Sequence, residues 1–531
     1  MTDLLIISLG PVQDFIAAAR RTRDLQAGSE LLSEVANAAA KALAEAGAEL
    51  IFPASTATPA ANKLVALIPS GTAEAMTAGV KAAGTAVLTR AWSDLAAKYN
   101  AVLDSDLAHH QLATFLEVAA AAVPSTGNYT ADRKACEALL NGRKALRDFS
   151  AYTGIPGREK SPLDPARETV ILLSDRAAPG GSRIPSRLAT GPLWLAGTEF
   201  LDALSLIKRN HGRGTANIPT PSTGDLALAA VGLNGLAEKC KLSLDDLEDC
   251  SNRLEEAGLT LADAVFGDPQ ATGALAQSDA KKLSKAGSNI KPYYAVLVAD
   301  GDHVGRYLDA LSTPAAHRAF SVRLSDFAKQ AAAIVKAHKG HPVYCGGDDA
   351  LALIPYTSVL ACANELAETY AAAFPALATG EATTLSVGVA IVHIHHPLQQ
   401  AIGLGRAAEA NAKTLRNAIS LTLHTRGGAP TTVLEPWDAK PLEGFTSALA
   451  DMKQGVSRGL PYELRELVSS WPIGFDTDLL RAELQRICKR KTNAELKSLP
   501  KGKPQADLAM HIDKLVIARW MTAFETEGGD A

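Results

Sequence analysis

The segment that most constrains the fold of this chain spans residues 341–354 and reads His-Pro-Val-Tyr-Cys-Gly-Gly-Asp-Asp-Ala-Leu-Ala-Leu-Ile. Two short apolar stretches flank a Gly-Gly pair, and glycine adopts the positive φ angles that a tight hairpin turn requires. Asp348 and Asp349 follow at the turn, and their like charges repel each other unless a cation is bound. The segment therefore predicts a β-hairpin that presents two adjacent carboxylates.

A second acidic segment, Asp300-Gly301-Asp302, follows an apolar stretch that predicts a central strand over residues 294–299. The surrounding pattern predicts the β-α-β-β-α-β order of a ferredoxin-like domain with one additional element. In such a sheet the first strand lies next to the hairpin, so we expect Asp300 to reach the pocket of Asp348 and Asp349. The other predicted elements are helices 303–311, 317–338, 357–374 and 398–419 and strands 342–345, 350–354, 384–392 and 421–424.

Three carboxylates in one pocket predict a site for Mg²⁺ or Mn²⁺, because hard oxygen ligands without clustered cysteines favour these ions. Such ions take their remaining ligands from water and substrate phosphates. With a nucleoside triphosphate, the reaction is attack of a 3′- or 2′-hydroxyl on the α-phosphorus, with pyrophosphate leaving. We therefore predict Asp300, Asp348 and Asp349 to be catalytic and to bind the metal ions.

Lys413 lies late on the predicted helix 398–419 and is a candidate contact for triphosphate oxygens. A solvated lysine on an exposed helix face fits the same pattern equally well. His393, His395 and His396 form a further cluster at a predicted strand end. A polar strand terminus explains this cluster better than a metal pair, because no third ligand is evident.

Two stretches of the chain share one local pattern and predict two related domains. Residues 4–15 and 294–307 each place an apolar strand before a glycine-containing turn and an amphipathic helix. The fold class predicted is α+β, with two ferredoxin-like palm domains and helical domains between and after them. Within the first palm we expect helices over 71–122, 131–149 and 192–208 and a strand over 170–173. The predicted domains are a first palm-like domain with helical insertions (1–215), a helical domain (216–290), a second palm (291–430) and a C-terminal helical domain (431–531).

Composition excludes several classes of function for the 531 residues. The net charge of −4 excludes a uniformly basic nucleic-acid-binding surface, so any contact with nucleic acid must come from local patches. No apolar run is long enough to cross a membrane, and no basic stretch precedes the first apolar segment. The six cysteines form no CxxC pair, which argues against a disulfide framework or a zinc ribbon. These features predict a reduced, cytoplasmic protein.

The motifs taken as a set resemble a known family. The resemblance rests on residues 7–16, 22–29, 201–204 with 207–209, 299–305 and 346–349. The chain is similar over about residues 1–430 to the large, polymerase/cyclase-like subunit of type III CRISPR interference complexes, closest to the III-B (Cmr) branch. The resemblance implies a second palm that binds ATP and Mg²⁺ and makes cyclic oligoadenylate when the guide pairs with target RNA. It also implies other Cmr subunits, crRNA and target RNA as partners.

The resemblance also implies roles for individual residues. Asp300, Asp348 and Asp349 would hold metal, and the glycines of the hairpin would allow close approach of the nucleotide. Together with the lysine considered above, the predicted nucleotide-binding residues are Gly346, Gly347, Gly301, Asp302, His303, Gly305 and Lys413.

The chain departs from the family pattern at three points. Many members begin with an HD nuclease domain, whereas here the first palm starts at residue 1 and no adjacent His-Asp pair occurs, so we expect no HD-dependent cleavage. Only Cys240 and Cys250 lie between the palms, which makes a structural zinc doubtful. Gln26 stands where the family often has tryptophan.

Other functions fit parts of the pattern. A stand-alone nucleotidyl cyclase of the diguanylate type often carries an aromatic residue where this chain has Ala350, and it leaves the first palm unexplained. A scaffold that only binds crRNA and partner subunits has no need to keep adjacent charges at the hairpin. A viral-type RNA polymerase, suggested by Gly-Asp-Asp alone, requires carboxylate spacings that are absent.

Overall fold

The computed structural model describes residues 1–57, 61–146, 154–174, 183–189, 193, 195–214, 220–380, 382–453, 456–457, 459–472, 476–491 and 505–522. It confirms the α+β class, with two separate sheets and many helices. The first sheet consists of β1 (Thr2–Gly10), β2 (Glu49–Phe52), β3 (Lys63–Pro69) and β4 (Glu117–Pro124). Their order across the sheet is β2-β3-β1-β4, and every neighbouring pair is antiparallel.

Helices cover both faces of this sheet because β1 is apolar on both. Leu5, Ile7 and Leu9 pack with the long helices that precede and follow β2 and β3, whereas Leu4 and Ile6 pack with the helix after β4. The helices of this part are α1 (Gln13–Ala17), α2 (Thr22–Glu45), α3 (Ala73–Tyr99), α4 (Ser105–Phe115), α5 (Tyr129–Ala145), α6 (Ser186–Ala189) and α7 (Ala203–Gly214).

Strand β4 corrects the prediction of a helix over residues 71–122. Its sequence, Glu-Val-Ala-Ala-Ala-Ala-Val-Pro, has strong helix propensity, yet it pairs with β1 at every position from Asp3↔Pro124 to Gly10↔Glu117. Tertiary pairing with a buried strand outweighs the local preference of alanine, which amounts to only tenths of a kcal/mol per residue.

Two further predictions in the first palm need correction. In place of a helix over 192–208, helix α7 begins only at Ala203, and the described residues just before it are not helical; residues 192 and 194 lie outside the described part. In place of a strand over 170–173 there is a single bridge between Leu103 and Ile171. An isolated bridge joins one pair of residues and forms no ladder, so residues 170–173 are not a strand.

A buried ion-pair network joins the start of α2 to α7. Arg209 is fully buried and donates to both carboxylate oxygens of Asp24, at 2.7–2.9 Å, and to Glu199 at 3.0 Å. The neighbouring Lys208 donates to the carbonyl oxygens of Phe15, at 2.7 Å, and Ala18. Two segments that are far apart in the sequence, residues 22–29 and 201–209, are therefore held together by charge-assisted hydrogen bonds.

A helical region follows and has its own core. Ser222, Ser243 and Thr260 each form a capping box with an aspartate three residues later, which fixes where three of its helices begin. Cys240 and Cys250 are buried in this core. The helices are α8 (Thr223–Ala229), α9 (Gly232–Cys240), α10 (Leu244–Glu256), α11 (Leu261–Val265), α12 (Pro269–Ala274) and α13 (Gln277–Gly287).

The second sheet has six strands in the order β10-β9-β8-β5-β7-β6, of which only β8 and β9 pair in parallel. It confirms the ferredoxin-like arrangement predicted from sequence, including the hairpin. The elements in chain order are β5 (Tyr293–Asp302), α14 (Val304–Asp309), α15 (Pro314–Ala337), β6 (His341–Gly346), β7 (Asp349–Ile354), α16 (Val359–Ala373), β8 (Thr384–His393), α17 (Leu398–Leu415), β9 (Ala418–Leu423) and β10 (Thr431–Pro436).

Two boundaries differ from the predictions. The segment 300–302, predicted as a loop, belongs to β5, because pairing with β8 continues to Asp302↔Thr384. Strand β10 extends the second sheet past residue 430, where the sequence predicted the palm to end. Helices α18 (Pro441–Lys453), α19 (Leu460–Ser470), α20 (Thr477–Lys491) and α21 (Gln505–Thr522) follow. None of the helices in the described residues is long and apolar enough to cross a membrane.

The buried network around Arg209 gives a stability prediction. Arg209→Met should lower the free energy of unfolding by about 3–5 kcal/mol, because Asp24 would remain buried without its partner. Glu199 would keep only its longer contacts with Arg20 and Arg21, at 3.9 and 3.6 Å. Urea unfolding followed by tryptophan fluorescence measures this, since Trp92 is buried in the same core. The control is Arg183→Met, which removes a half-exposed pair with Glu159 and should cost less than about 1 kcal/mol. Equal losses in the two variants would contradict the prediction.

Candidate active site

The hairpin between β6 and β7 turns at Gly347, whose φ of +72° falls where residues with side chains are strained. Gly346 pairs with Asp349 to close the turn, which leaves Asp348 at the tip. Asp348 and Asp349 are both half-buried rather than fully exposed. The hairpin predicted from sequence is thus confirmed, and it holds the two carboxylates side by side.

The register between β5 and β7 places the hairpin tip against the second acidic segment. Ala299 lies opposite Ala350, so the next positions along each strand are Asp300 beside Asp349 and Gly301 beside Asp348. A Cβ atom on Gly301 would lie 2.9 Å from the Asp348 Cβ and 2.5 Å from the Tyr370 hydroxyl. Glycine at this position therefore provides the space that Asp348 occupies.

Burial raises the pKa of both hairpin carboxyl groups. It raises the pKa of Asp348 to about 6, a shift that the positive charge of Lys63 opposes. The pKa of Asp349 rises to about 7, first through burial and then through the negative charge of Asp348, although a hydrogen bond from Tyr344 opposes the rise. Ionising both groups is therefore costly, and a divalent cation would remove much of that cost.

Asp300 lies next to this pair but is bound to a different partner. Its carboxylate forms an ion pair with Lys413 of α17, and Lys413 also approaches Glu409 at 3.7 Å. Within the described ranges, no group of three or more His, Cys, Asp or Glu side chains is arranged to hold a metal ion. The expected three-carboxylate pocket is thus a pair plus an adjacent carboxylate that Lys413 neutralises.

The donor atoms of Asp348 and Asp349 fit Mg²⁺ or Mn²⁺. These ions accept one or two protein carboxylates and complete their shells with water and phosphate oxygens. Both carboxyls have raised pKa values, and the ion pairs of the described residues include neither of them. Lys413, predicted to contact triphosphate oxygens, instead lies on the α17 side and pairs with two carboxylates.

Asp302 does not point into the site, although the sequence suggested a nucleotide contact. Its buried carboxylate accepts hydrogen bonds from Thr384 and Ser386 at 2.9 Å and from the backbone N–H of Asn417 at 2.9 Å. These bonds connect the end of β5 to β8 and to the start of β9. Asp302 therefore has a structural role, since it holds together the strands that carry the site. A sequence pattern alone cannot distinguish such a role from ligand binding.

His303 and Gly305 lie where β5 leads into α14. His303 is in the left-handed region, with φ 60°, and burial together with Arg306 and Arg416 lowers its pKa. Gly305 is exposed and has open space around its α-carbon.

The histidine cluster lies at the end of β8. His393 packs edge-on against Tyr293, with 5.1 Å between the ring centroids, and accepts a hydrogen bond from the His395 N–H.

A cavity of about 330 Å³ opens beside the hairpin tip between the two palms. Its volume is within the range of small-molecule sites. The second palm contributes Gly305, His317, Tyr344 and residues 346–349, and the first palm contributes Phe52, Asn62, Lys63 and Glu137. A second cavity, of about 560 Å³, lies between α2, α15 and β6 and shares Tyr344, Gly346 and Gly347 with the first. Lys63 and Glu137 were missed at the sequence level, because no motif surrounds them.

Comparisons with known proteins assign the two palms to one family. The family model "Cas10/Cmr2, second palm domain" matches residues 293–420, and the model "CRISPR-associated protein Cmr2, N-terminal" matches residues 4–148. The chain belongs to the Cas10/Cmr2 family. Its curated relative, the CRISPR system Cmr subunit Cmr2 of Pyrococcus furiosus, is 27% identical over 243 residues. That match covers 40% of this chain and 28% of the relative's length.

Solved structures share the fold over nearly the whole chain. A chain of the type III-B Cmr-beta complex bound to cognate target RNA matches with a TM-score of 0.70 at 14% identity, covering 98% of this chain and 83% of the other. A chain of the Csm1–Csm4 cassette in complex with pppApA matches with a TM-score of 0.52 at 13% identity, covering 98% and 69%. The same cassette in complex with AMPPNP gives 0.51 at 14% identity, with the same coverage. At these identities the likeness is one of fold.

The raised pKa values of the hairpin carboxyls predict how metal-free stability changes with pH. Because both exceed the ordinary value of 3.8, the folded state keeps these protons after the unfolded state has lost them, so stability falls as the pH rises from about 4 to about 7. Asp349→Asn keeps the acceptor for Tyr344 and removes one charge. In EDTA it should stabilise the protein at pH 8 by on the order of 1 kcal/mol or more and have little effect at about pH 3.5, where the unfolded chain also holds most of that proton. Thermal unfolding at both pH values measures this, and an equal effect at both would contradict it.

The hydrogen bonds of Asp302 predict a structural phenotype. Asp302→Ala leaves the Ser386 hydroxyl and the Asn417 N–H without their acceptor, at a cost of about 1–3 kcal/mol for each buried group. The melting temperature should fall well below that of Asp326→Ala, a change at an exposed residue of α15 that pairs only with Lys329. An unchanged melting temperature together with lost nucleotide binding would restore the role that the sequence suggested.

Proposed function

We propose that this chain is the large subunit of a type III-B CRISPR RNA-guided complex and that its second palm joins ATP molecules into cyclic oligoadenylate. The observation that carries the proposal is the pair of half-buried carboxylates at the hairpin tip, Asp348 and Asp349, at the edge of a cavity between the palms. The raised pKa values of the pair make it a receptor for a divalent cation. We propose Mg²⁺ or Mn²⁺ as that cation and the cytoplasm as the location.

The bond that forms joins a 3′- or 2′-hydroxyl oxygen of one ATP to the α-phosphorus of another. The bond from that phosphorus to the bridging oxygen breaks, pyrophosphate leaves, and the hydroxyl proton passes to solvent. A cation held by Asp348 and Asp349 would bind triphosphate oxygens and stabilise the charge that develops on them. The chain itself positions the reactants, and positioning together with electrostatic stabilisation accounts for most of the catalysis in phosphoryl transfer.

The two cavities support a reaction between two nucleotides. They have volumes of about 330 and 560 Å³ and both include the backbone of Gly346 and Gly347. A nucleotide in each would therefore contact the same hairpin. The first palm provides walls of both cavities, which gives it a role that a stand-alone cyclase of the diguanylate type would not need.

The similar structures support the choice of substrate and partners. The Csm1–Csm4 cassette has been solved with AMPPNP, pppApA and cA4, and the Cmr-beta complex with cognate target RNA. From these we propose ATP as substrate and other Cmr subunits, crRNA and target RNA as partners of this chain. A scaffold role without catalysis requires none of the carboxylate geometry described above.

The decisive experiment replaces the carboxylate pair. Asp348→Ala combined with Asp349→Ala should abolish conversion of ATP, to below about 1% of wild type, because no other described carboxylate pair faces the cavity. Products are identified by mass spectrometry from ATP and Mg²⁺, with the chain alone and in the crRNA-bound complex with and without target RNA. Product formation at the wild-type level in the double variant would show that Asp348 and Asp349 are not the catalytic carboxylates.

A matched control exists in the helical region between the palms. Asp245→Ala with Asp246→Ala removes another adjacent pair of aspartates, which lies in the first turn of α10. We expect some loss of helix stability, because Asp246 caps α10, but unchanged ATP conversion. Incubation with GTP in parallel separates the proposal from a diguanylate-type cyclase, which would convert GTP without any RNA.

A further inference from the structure

The cavity beside the hairpin tip has an uneven distribution of charge. Its walls carry three carboxylates, Asp348, Asp349 and Glu137, and Lys63 is the one lysine or arginine among its lining residues. His317 also lines the cavity, but burial lowers its pKa to about 4, so it is neutral near pH 7. Among the described lining residues, the side-chain cation available to a polyanion is therefore Lys63, which belongs to the first palm.

Lys63 is positioned rather than free. It is the first residue of β3, and its Nζ lies 2.8 Å from the Glu137 Oε1 on α5. Arg133 holds the same Glu137 oxygen at 2.9 Å and also pairs with Asp309 of the second palm. The Lys63 side chain remains 38% exposed, so it is not closed off from a ligand by its contact with Glu137.

Lys63 lines the same cavity as the hairpin tip. Asp348 of the tip and His317 of α15 are also among the lining residues, so a ligand in the cavity would lie within reach of all three. By contrast, Lys413 lies outside the cavity walls and is paired with Asp300 and Glu409.

We propose that Lys63 binds the phosphate groups of a nucleoside triphosphate in this cavity, so that the first palm supplies the side-chain cation for the reaction of the second. The inference rests on the proposed function and names a substrate contact within it. Phosphate oxygens replace or share the contact with Glu137. Glu137 keeps Arg133 as a partner, so its carboxylate is not left unpaired when Lys63 turns to the ligand.

The test uses the full chain and two probes that do not react. The first is the ATP analogue with a methylene group between the α- and β-phosphorus, in the presence of Mg²⁺, and the second is adenosine. Lys63→Met should weaken binding of the analogue by about tenfold or more in calorimetry, the usual size of a charge-assisted contact, and leave adenosine unchanged. Lys63→Arg should retain most of the affinity for the analogue.

Glu137→Gln separates ligand binding from a structural role. It removes the ion pair but keeps the cation, so binding of the analogue should stay equal or become tighter. If Lys63 served only to pair with Glu137, the two variants would lose affinity together, and the inference would be wrong. Lys41→Met is the matched control, because Lys41 also pairs with a carboxylate, Glu45, but on an exposed face of α2.

The outcomes for the inference and for the proposed function are distinct. A wild-type chain that binds the analogue while Lys63→Met binds it equally well overturns the inference alone. A wild-type chain that binds neither probe and forms no product in the complex overturns both. Loss of product in the hairpin double variant, with normal product in Lys63→Met, supports the function and rejects Lys63.

Discussion

The pairing register of β5 with β7 is the constraint on which the site depends. Side chains alternate between the faces of a strand, so a shift by one residue would move each side chain into the core on the opposite face. Val296 contributes to the core on one face of the sheet, while Leu297 and Ala299 belong to the core on the other. With both faces covered by packed helices, the register has no alternative, and the hairpin tip is held beside Asp300 and Gly301.

The contact between the palms is the second constraint, because it creates the cavity. It is built from specific polar contacts as well as apolar ones. The Tyr129 hydroxyl of the first palm forms a hydrogen bond of 2.6 Å with the His317 Nδ1. The Arg318 Nε donates to the Leu50 carbonyl oxygen at 2.7 Å. These bonds have strict geometric requirements. They fix the orientation of α15 against the first sheet and so the distance across the cavity.

Sequence reasoning identified the elements that have strong local signals. The glycine pair between two short apolar stretches predicted the hairpin, and the order of helices and strands in the second palm followed from the apolar pattern. Strand β4 escaped it because four consecutive alanines carry helix propensity and no alternation, and only the pairing with β1 makes them a strand. Likewise, the boundary at residue 430 missed β10, whose place depends on β9 beside it.

The sequence predicted which residues form the site better than it predicted which contacts they make. Asp348 and Asp349 were found from the motif, but nothing local shows that Lys413 pairs with Asp300, that Asp302 serves the sheet, or that Lys63 faces the hairpin. Those facts depend on contacts between residues more than 80 positions apart in the sequence. The local pattern of one sequence does not show which residues so far apart in the chain come into contact.

Gly301 carries a consequence that reaches beyond packing. It lies between Tyr370 and the carbon skeleton of Asp348, with no spare room for even a methyl group. The absence of a side chain at Gly301 thus determines how closely the hairpin tip can approach β5. Mutational tolerance should therefore be low at a position with no functional group at all, and a directed-evolution library that varies only charged residues would overlook it.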